Sequence, residues 1–131
     1  MNRDSVSILL TNIRNAQATK KVQVVVPFTE IICSILRTLK REGYINTFFV
    51  CSSSKRHLKI VIVLKYMDDK PVISCITQIS KPGLRVYTKH TNIKPHLNGL
   101  GITILATSKG TITDKLAKKL NVGGEVICHI S

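Results

Sequence analysis

Two short clusters carry the residue types that could do chemistry. The first is Thr107-Ser108-Lys109-Gly110, where the apolar run Ile102 to Leu105 opens into a loop. Adjacent hydroxyls, a cation and a flexible glycine form a donor and acceptor cluster that can meet ribose 2′-OH groups, base edges and phosphates. The same residues equally suit a plain Ser/Thr turn ahead of a helix cap at Thr113. The second cluster is Lys81-Pro82-Gly83-Leu84-Arg85-Val86-Tyr87. Pro-Gly sets a sharp turn, after which Arg85 and Tyr87 share one face of a strand. A guanidinium beside a ring can take a phosphate while the ring lies on a sugar or base. A tyrosine packed between two lobes is the equally simple alternative.

Catalysis finds little support. Of the seven carboxylates, Asp4, Glu30 and Asp114 suit helix N-termini, Glu42 a helix end and Asp68-Asp69 a turn. Only Glu125, after Gly123-Gly124 at the mouth of a strand, is placed to meet a partner. General acid-base chemistry needs two titrating groups held together, and no such pair is visible. Nucleophile elbows, phosphate-binding glycine loops and zinc-binding helices are missing too. The expectation is a non-enzyme with no cofactor and no small-molecule substrate. Cys33, Cys51, Cys75 and Cys128 lack close pairing and sit in apolar runs, so they are expected to be core thiols in a reducing compartment rather than metal ligands.

Charge points to a polyanion. Twenty Lys and Arg face seven Asp and Glu, for a net charge of +13. The excess is spread as singles and pairs, including Lys20-Lys21, Lys40-Arg41, Lys55-Arg56 and Lys118-Lys119, and not gathered into a tail. Such a body can touch many phosphates of a folded nucleic acid. Three Phe, three Tyr and no Trp leave no aromatic stacking platform of the single-strand-binding kind, and favour structured RNA or a duplex. The longest apolar run, Ile60 to Leu64, is far short of a membrane span, and no secretory core follows Met1. An architectural DNA-binding protein would share the charge but should expose a recognition helix or a wedge.

The elements that must position these residues follow from periodicity. Val6, Leu9, Ile13 and Ala16 recur at helical spacing behind Asp4, with Arg14 and Asn15 on the polar side. Lys20 to Val26 reads as a strand ending at Pro27. Thr29 caps a helix from Glu30 to Glu42 that buries Ile32, Ile35, Leu36 and Leu39 and stops at Gly43. Ile45 to Cys51 and His57 to Tyr66 form a hairpin with Lys55 and Arg56 at its tip. A turn at Met67 to Pro71 separates residues 1–66, an α-β-α-β-β lobe, from residues 72–131. There, Val72 to Ser80, Leu84 to Thr88, Ile102 to Thr107 and Glu125 to Ile130 read as strands, with one short helix from Asp114 to Leu120. The class is α+β: two small lobes, the second mainly β.

Several blocks together resemble one family. Asn12-Ile-Arg-Asn-Ala, Glu42-Gly-Tyr-Ile, Leu64-Lys-Tyr, Ile79-Ser-Lys-Pro-Gly-Leu-Arg-Val-Tyr, Gly99-Leu-Gly-Ile, Thr107-Ser-Lys-Gly, Thr113-Asp and Gly123-Gly-Glu-Val-Ile-Cys occur in the order found in bacterial-type small-subunit ribosomal protein eight. The resemblance spans Asp4 to Ile130. It implies a primary rRNA-binding protein that binds a helix of the central domain of the small-subunit rRNA, promotes assembly and neighbours other small-subunit proteins. It also implies that the second lobe makes most of the specific RNA contact. Thr107, Ser108 and Gly110 would enter the groove, with Tyr87, Gly123, Gly124 and Glu125 beside them, and Arg14 and Asn15 would approach the backbone. Ala106 stands where the family usually has a first serine, which implies one hydroxyl fewer. Seventeen Ile, and 14 Lys against 6 Arg, fit AT-rich coding DNA and lead to the expectation of a plastid ribosome, with the bacterial cytoplasm as alternative.

Overall fold

A computed structural model describes residues 5–54 and 57–131. The chain divides into two compact units, Met1–Ile73 and Ser74–Ser131.

In the first unit, helix α1 (Ser5–Ala18) buries Val6, Leu9, Leu10 and Ile13. The expected cap, Asp4, lies outside the described residues. α1 runs into a left-handed Lys20 (φ 55°), with the Lys21 N–H bonded to the Ala16 carbonyl and the Lys20 N–H to Gln17. This double closure is a Schellman stop. It holds Lys20 and Lys21 out of the strand expected from Lys20, so β1 is Gln23–Pro27. Helix α2 (Glu30–Arg41) is capped as expected by the Thr29 hydroxyl, which accepts from the Ile32 N–H at 3.2 Å. Gly43 at φ +83° ends it, again with a bond across five residues, from Tyr44 N–H to Leu39 O. Ile32, Ile35, Leu36 and Leu39 are all buried.

The helices pack on a three-stranded antiparallel sheet ordered β1-β3-β2, with β2 at Ile45–Ser54 and β3 at His57–Leu64. Ladder pairing continues to Ser54↔His57, so β2 outlasts the Cys51 end expected from polarity. Serines at a hairpin's end tolerate extended backbone, and pairing decides. The tip, Lys55 and Arg56, lies outside the described residues. Val24, Val26, Ile60 and Ile62 alternate toward the helices, and each such side chain contributes roughly 1.5–3 kcal/mol by leaving water. The expected turn at 67–71 is a small hairpin, β4 (Tyr66–Met67) with β5 (Lys70–Pro71), closed by left-handed Asp68 and Asp69. Positive φ at both central residues is the tight turn that matches strand twist. This hairpin belongs to the first unit, which ends at Ile73.

The second unit is a five-stranded antiparallel sheet with one helix. Its strands are β6 (Ile76–Gln78), β7 (Tyr87–Thr88), β8 (Ile102–Thr107), β9 (Gly110–Thr113) and β10 (Gly124–Ile130). The central β10 pairs with β6, β7 and β8, and β9 pairs with β8. Two expected strands are much shorter. Val72 to Ser80 reduces to β6, because Ile73 closes the first unit while the Ser74 and Cys75 N–H groups bind the Ser131 carbonyl. Leu84 to Thr88 reduces to β7, because Leu84 is tied back to Lys81 across Pro82-Gly83. Helix α3 (Asp114–Leu120) starts at the Thr113 hydroxyl and ends at a left-handed Asn121, as expected. Ile93, Leu105, Ile112, Ala117 and Val126 form the core under it.

Two of the four cysteines depart from expectation. Cys33 and Cys128 are buried, but Cys51 and Cys75 are exposed. Cys51 pairs with exposed Lys59 on the sheet face turned from the helices, and Cys75 precedes its strand. An apolar run does not specify which face a residue takes. Burial drives the Cys128 thiol up to about 12, which makes it inert at neutral pH.

Candidate nucleic-acid interface

The site assembles at the end of the second unit's sheet where β10 begins. Residues in register on neighbouring strands share a face. Glu125 lies opposite Tyr87 on one side and Ala106 on the other, and Ala106 lies opposite Thr111. The row Tyr87–Glu125–Ala106–Thr111 therefore crosses four strands on one face, opposite the α3 core marked by Leu105, Val126 and Ile112. A bulge between Val126 and Cys128 inserts Ile127. It resets the alternation, so Glu125 and the fully buried Cys128 occupy the same face, which strict period-two reading does not give.

Arg85 is not on the strand with Tyr87, as expected from the sequence. It precedes β7, yet its Nη1 donates to Glu125 Oε2 at 3.1 Å. Arg85 and Tyr87 thus converge through Glu125. The pair is open to solvent, so it is worth about 0–1 kcal/mol and serves to aim the guanidinium. Tyr87 is 70% exposed, a ring standing off the protein beside that guanidinium.

The cluster at 107–110 is the turn of the β8–β9 hairpin. β9 was not anticipated, although Thr111-Ile112-Thr113 is β-branched throughout. Thr107 Oγ1 accepts from the Lys109 N–H at 3.1 Å and donates to the Gly110 carbonyl at 2.9 Å. Its hydroxyl fastens the turn, so the turn reading and the contact reading divide by residue: Thr107 holds the loop, while Ser108 and Lys109 project into solvent. Gly110 at φ +107° takes a backbone conformation that glycine adopts without strain, where this two-residue turn re-enters the ladder.

Gly123 and Gly124 make the convergence possible. A Cβ on Gly123 would lie 2.3 Å from the Thr88 carbonyl oxygen, and one on Gly124 would lie 2.2 Å from that of Ala106. Only glycine lets β10 enter between β7 and β8.

Arg14 and Asn15 are both exposed on α1 of the first unit. Asn15 lines a cleft of about 490 Å³ with Asn12, Thr19, Lys21 and Gln23. This amide-rich, cationic hollow between a helix end and β1 was not anticipated, because its residues fall on two elements. A second unanticipated cluster lies at the far end of β10. His129 Nδ1 is 2.8 Å from Thr103 Oγ1, and its ring stacks on His96 at 4.3 Å between centroids. The buried Asp114 accepts from the His96 backbone N–H through Oδ2, while its Oδ1 has no partner. Burial and the neighbouring His96 lower the His129 pKa, with Asp114 opposing. Among the described residues no group of His, Cys, Asp and Glu is arranged to hold a metal ion, and no helix is long and apolar enough to cross a membrane.

The fold and these sites define a small, strongly basic α+β protein in two units that gathers a ring, a guanidinium and exposed hydroxyl and ammonium groups at one sheet end. The family model described as Ribosomal protein S8 matches residues 4–131. The chain is 43% identical over 129 residues to small ribosomal subunit protein uS8 of Buchnera aphidicola subsp. Schizaphis graminum, covering 98% of each. It is 45% identical over 128 residues to uS8 of Neisseria meningitidis serogroup C, covering 98% of this chain and 97% of that one. The uS8 of Tolumonas auensis is 43% identical over 129 residues. The chain belongs to the ribosomal protein S8 family.

Proposed function

We propose that this protein is a structural constituent of the small ribosomal subunit, that it binds a helix of the central domain of the small-subunit rRNA, and that it promotes assembly. The observation that carries the proposal is the convergence of Tyr87, the Arg85–Glu125 pair and the Ser108-Lys109 turn at one end of one sheet. Spread Lys and Arg supply salt-dependent affinity for phosphates, and the convergent polar groups fix the register. Ser108 is small and exposed, so it can pair with a 2′-OH on the shallow side of an A-form helix without reaching deeply. Lys109 and Arg85 neutralise adjacent phosphates, and Tyr87 lies against a sugar or base. Gly123 and Gly124 act by position and not by contact. Arg14 and Asn15, with the cleft beside Asn15, form a second backbone contact. Lys55 and Arg56, which the sequence alone places between two strands, add a further phosphate contact. The relatives compared are bacterial, which favours a bacterial ribosome over the plastid one suggested by composition.

The test is a binding titration of the purified chain against a central-domain rRNA transcript, an unrelated RNA duplex and DNA of the transcript's sequence, at 150 mM salt. Selective affinity for the transcript is expected. Equal affinity for all three refutes rRNA recognition, and preference for the DNA indicates the architectural alternative.

A further inference from the structure

In the second unit, three consecutive residues adopt the left-handed backbone conformation: Leu97 (φ 51°, ψ 43°), Asn98 (φ 55°, ψ 31°) and Gly99 (φ 92°). Asn and Gly do this readily, but a bulky leucine there is a true outlier. The segment is fastened at both ends. The His96 N–H binds Asp114, the His96 ring stacks on His129, and the Gly101 N–H binds the His96 carbonyl at 3.2 Å. A Cβ on Gly101 would come within 2.6 Å of the His96 ring and 2.8 Å of the Ile130 carbonyl oxygen, so the exit is closely packed as well. The Leu100 N–H donates to the Leu97 carbonyl, which brings the two leucines into one turn.

This fastening does not hide them. Leu100 is 84% exposed and Leu97 53%. A strained backbone held rigid in order to show two apolar side chains to water contributes nothing to the isolated fold. Asn or Gly at position 97 would relieve the strain, and a polar residue at 100 would be better solvated. Strain of this kind concentrates at binding sites, where rigidity lowers the cost of ordering on association.

We infer that the loop from His96 to Gly101 is a preformed knob that seats Leu97 and Leu100 in an apolar pocket of another protein, with carboxylates at the pocket's rim. Leucine offers RNA neither a donor nor a ring face, so the knob is not part of the nucleic-acid surface. The acidic rim follows from charge: residues 89–101 hold Lys89, His90, Lys94 and His96 and no carboxylate. Two leucines bury too little for a membrane and suit a pocket in a folded partner, where a few well-packed, desolvated residues carry most of the binding energy.

The inference uses the proposed ribosomal role only to choose the assembly in which to look. The full chain with p-benzoyl-phenylalanine in place of Leu100 is combined with small-subunit rRNA and purified small-subunit proteins, then irradiated. One protein is expected to cross-link, and the same one in repeated reconstitutions. The variants Leu100→Ser and Leu97→Asn with Leu100→Ser are expected to melt at or above the wild-type temperature and to bind rRNA unchanged. They should reduce retention of the cross-linked protein at least tenfold. Cross-linking to rRNA, no protein cross-link, or full retention by the variants overturns the inference. Failure of the wild-type chain to bind rRNA at all refutes the proposed function instead, so the two failures are distinguishable.

Discussion

Replacing Gly124 by alanine tests whether close strand approach builds the interface. The new Cβ would lie 2.2 Å from the Ala106 carbonyl oxygen, 2.9 Å from its carbon and 3.0 Å from Thr107 Cγ2. Backbone atoms cannot swing aside as a side-chain end can, so β10 and β8 must separate by roughly an ångström to restore ordinary contact, taking the adjoining β8–β10 ladder bonds out of their normal 2.7–3.2 Å range. Losing one or two such bonds costs about 1 kcal/mol each, and residual overpacking adds about 1–3 kcal/mol. A total of about 2–5 kcal/mol should lower Tm by roughly 10 °C or more in a protein of this size. The same displacement moves Glu125, the next residue, and Thr107, which fastens the turn, so rRNA affinity should fall about tenfold even well below the melting point. The control is Gly83→Ala, because nothing lies within 4 Å of its Cβ and its φ is not left-handed. It should leave both quantities unchanged. Thermal melts by circular dichroism and filter binding at 20 °C provide the two readouts. A Gly124→Ala protein that melts with the wild type refutes the close-approach argument. One that melts early but binds rRNA at full strength removes this sheet end from the interface.

Ser108→Ala should leave Tm unchanged and weaken the rRNA complex by about 1 kcal/mol, whereas Thr107→Val should lower both Tm and affinity because its hydroxyl fastens the turn; identical profiles for the two would refute that division. Glu125→Gln should release Arg85, steepening the salt dependence of binding to an unrelated duplex by about 0.9 in log–log slope while selectivity for the cognate transcript drops; an unchanged slope means that Arg85 does not reach phosphate. Because His129 has a lowered pKa in the fold, the unfolded chain takes up a proton near pH 6.5 while the folded chain does not, so stability should decline as pH falls below about 6.5. His129→Gln should lessen that decline between pH 7.5 and 5.5, and an identical decline in the variant would refute the assignment. A thiol reagent under native conditions should modify Cys51 and Cys75 and leave Cys33 and Cys128 until unfolding, as counted by mass spectrometry.

What was legible in the sequence depended on whether the signal was local. Helical spacing, the Thr29 and Thr113 caps and the Gly43 stop placed α2 and α3, because caps and stops act within one turn of chain. The strands Ile102 to Thr107 and Glu125 to Ile130 were also recovered to within a residue. The errors came where pairing overrode composition. Val72 to Ser80 looks like one β-branched strand, but its first part serves one unit and its last part the other. Ser52 to Ser54 look like a loop, but the β3 ladder extends over them. The candidate site was legible as a set of residues and not as an arrangement. Nothing local reveals that Arg85 reaches Tyr87 by way of Glu125, or that Thr107 turns its hydroxyl inward. His96, His129 and Asp114 were missed for the same reason: they are separated in sequence and meet only after the sheet forms.

The β10 bulge links fold and function most directly. Were Ile127 paired as an ordinary strand residue instead of bulged, strict alternation would put Glu125 and Cys128 on opposite faces. Either Cys128 would leave the core or Glu125 would turn toward the apolar cluster of Leu105, Ile112 and Val126. A carboxylate buried there without a partner would be strongly disfavoured. Leaving Ile127 unpaired in a bulge resolves the conflict and leaves Glu125 free to hold Arg85, while Gly123 and Gly124 just before it admit β7 and β8 closely enough to bring Tyr87 and the Ser108 turn alongside. Deleting Ile127 should therefore remove the bulge without inverting any side chain, because the ladder already passes from Val126↔Leu105 to Cys128↔Ile104. The deletion takes away a buried isoleucine and the carbonyl that binds the Ile79 N–H, so the protein should lose about 2–5 kcal/mol yet keep its rRNA selectivity. A substitution of the same residue, Ile127→Val, should cost only about 0.5–1.5 kcal/mol and spare recognition. If the deletion variant still melts cooperatively but loses rRNA selectivity, the alternation on β10 is not what positions Glu125.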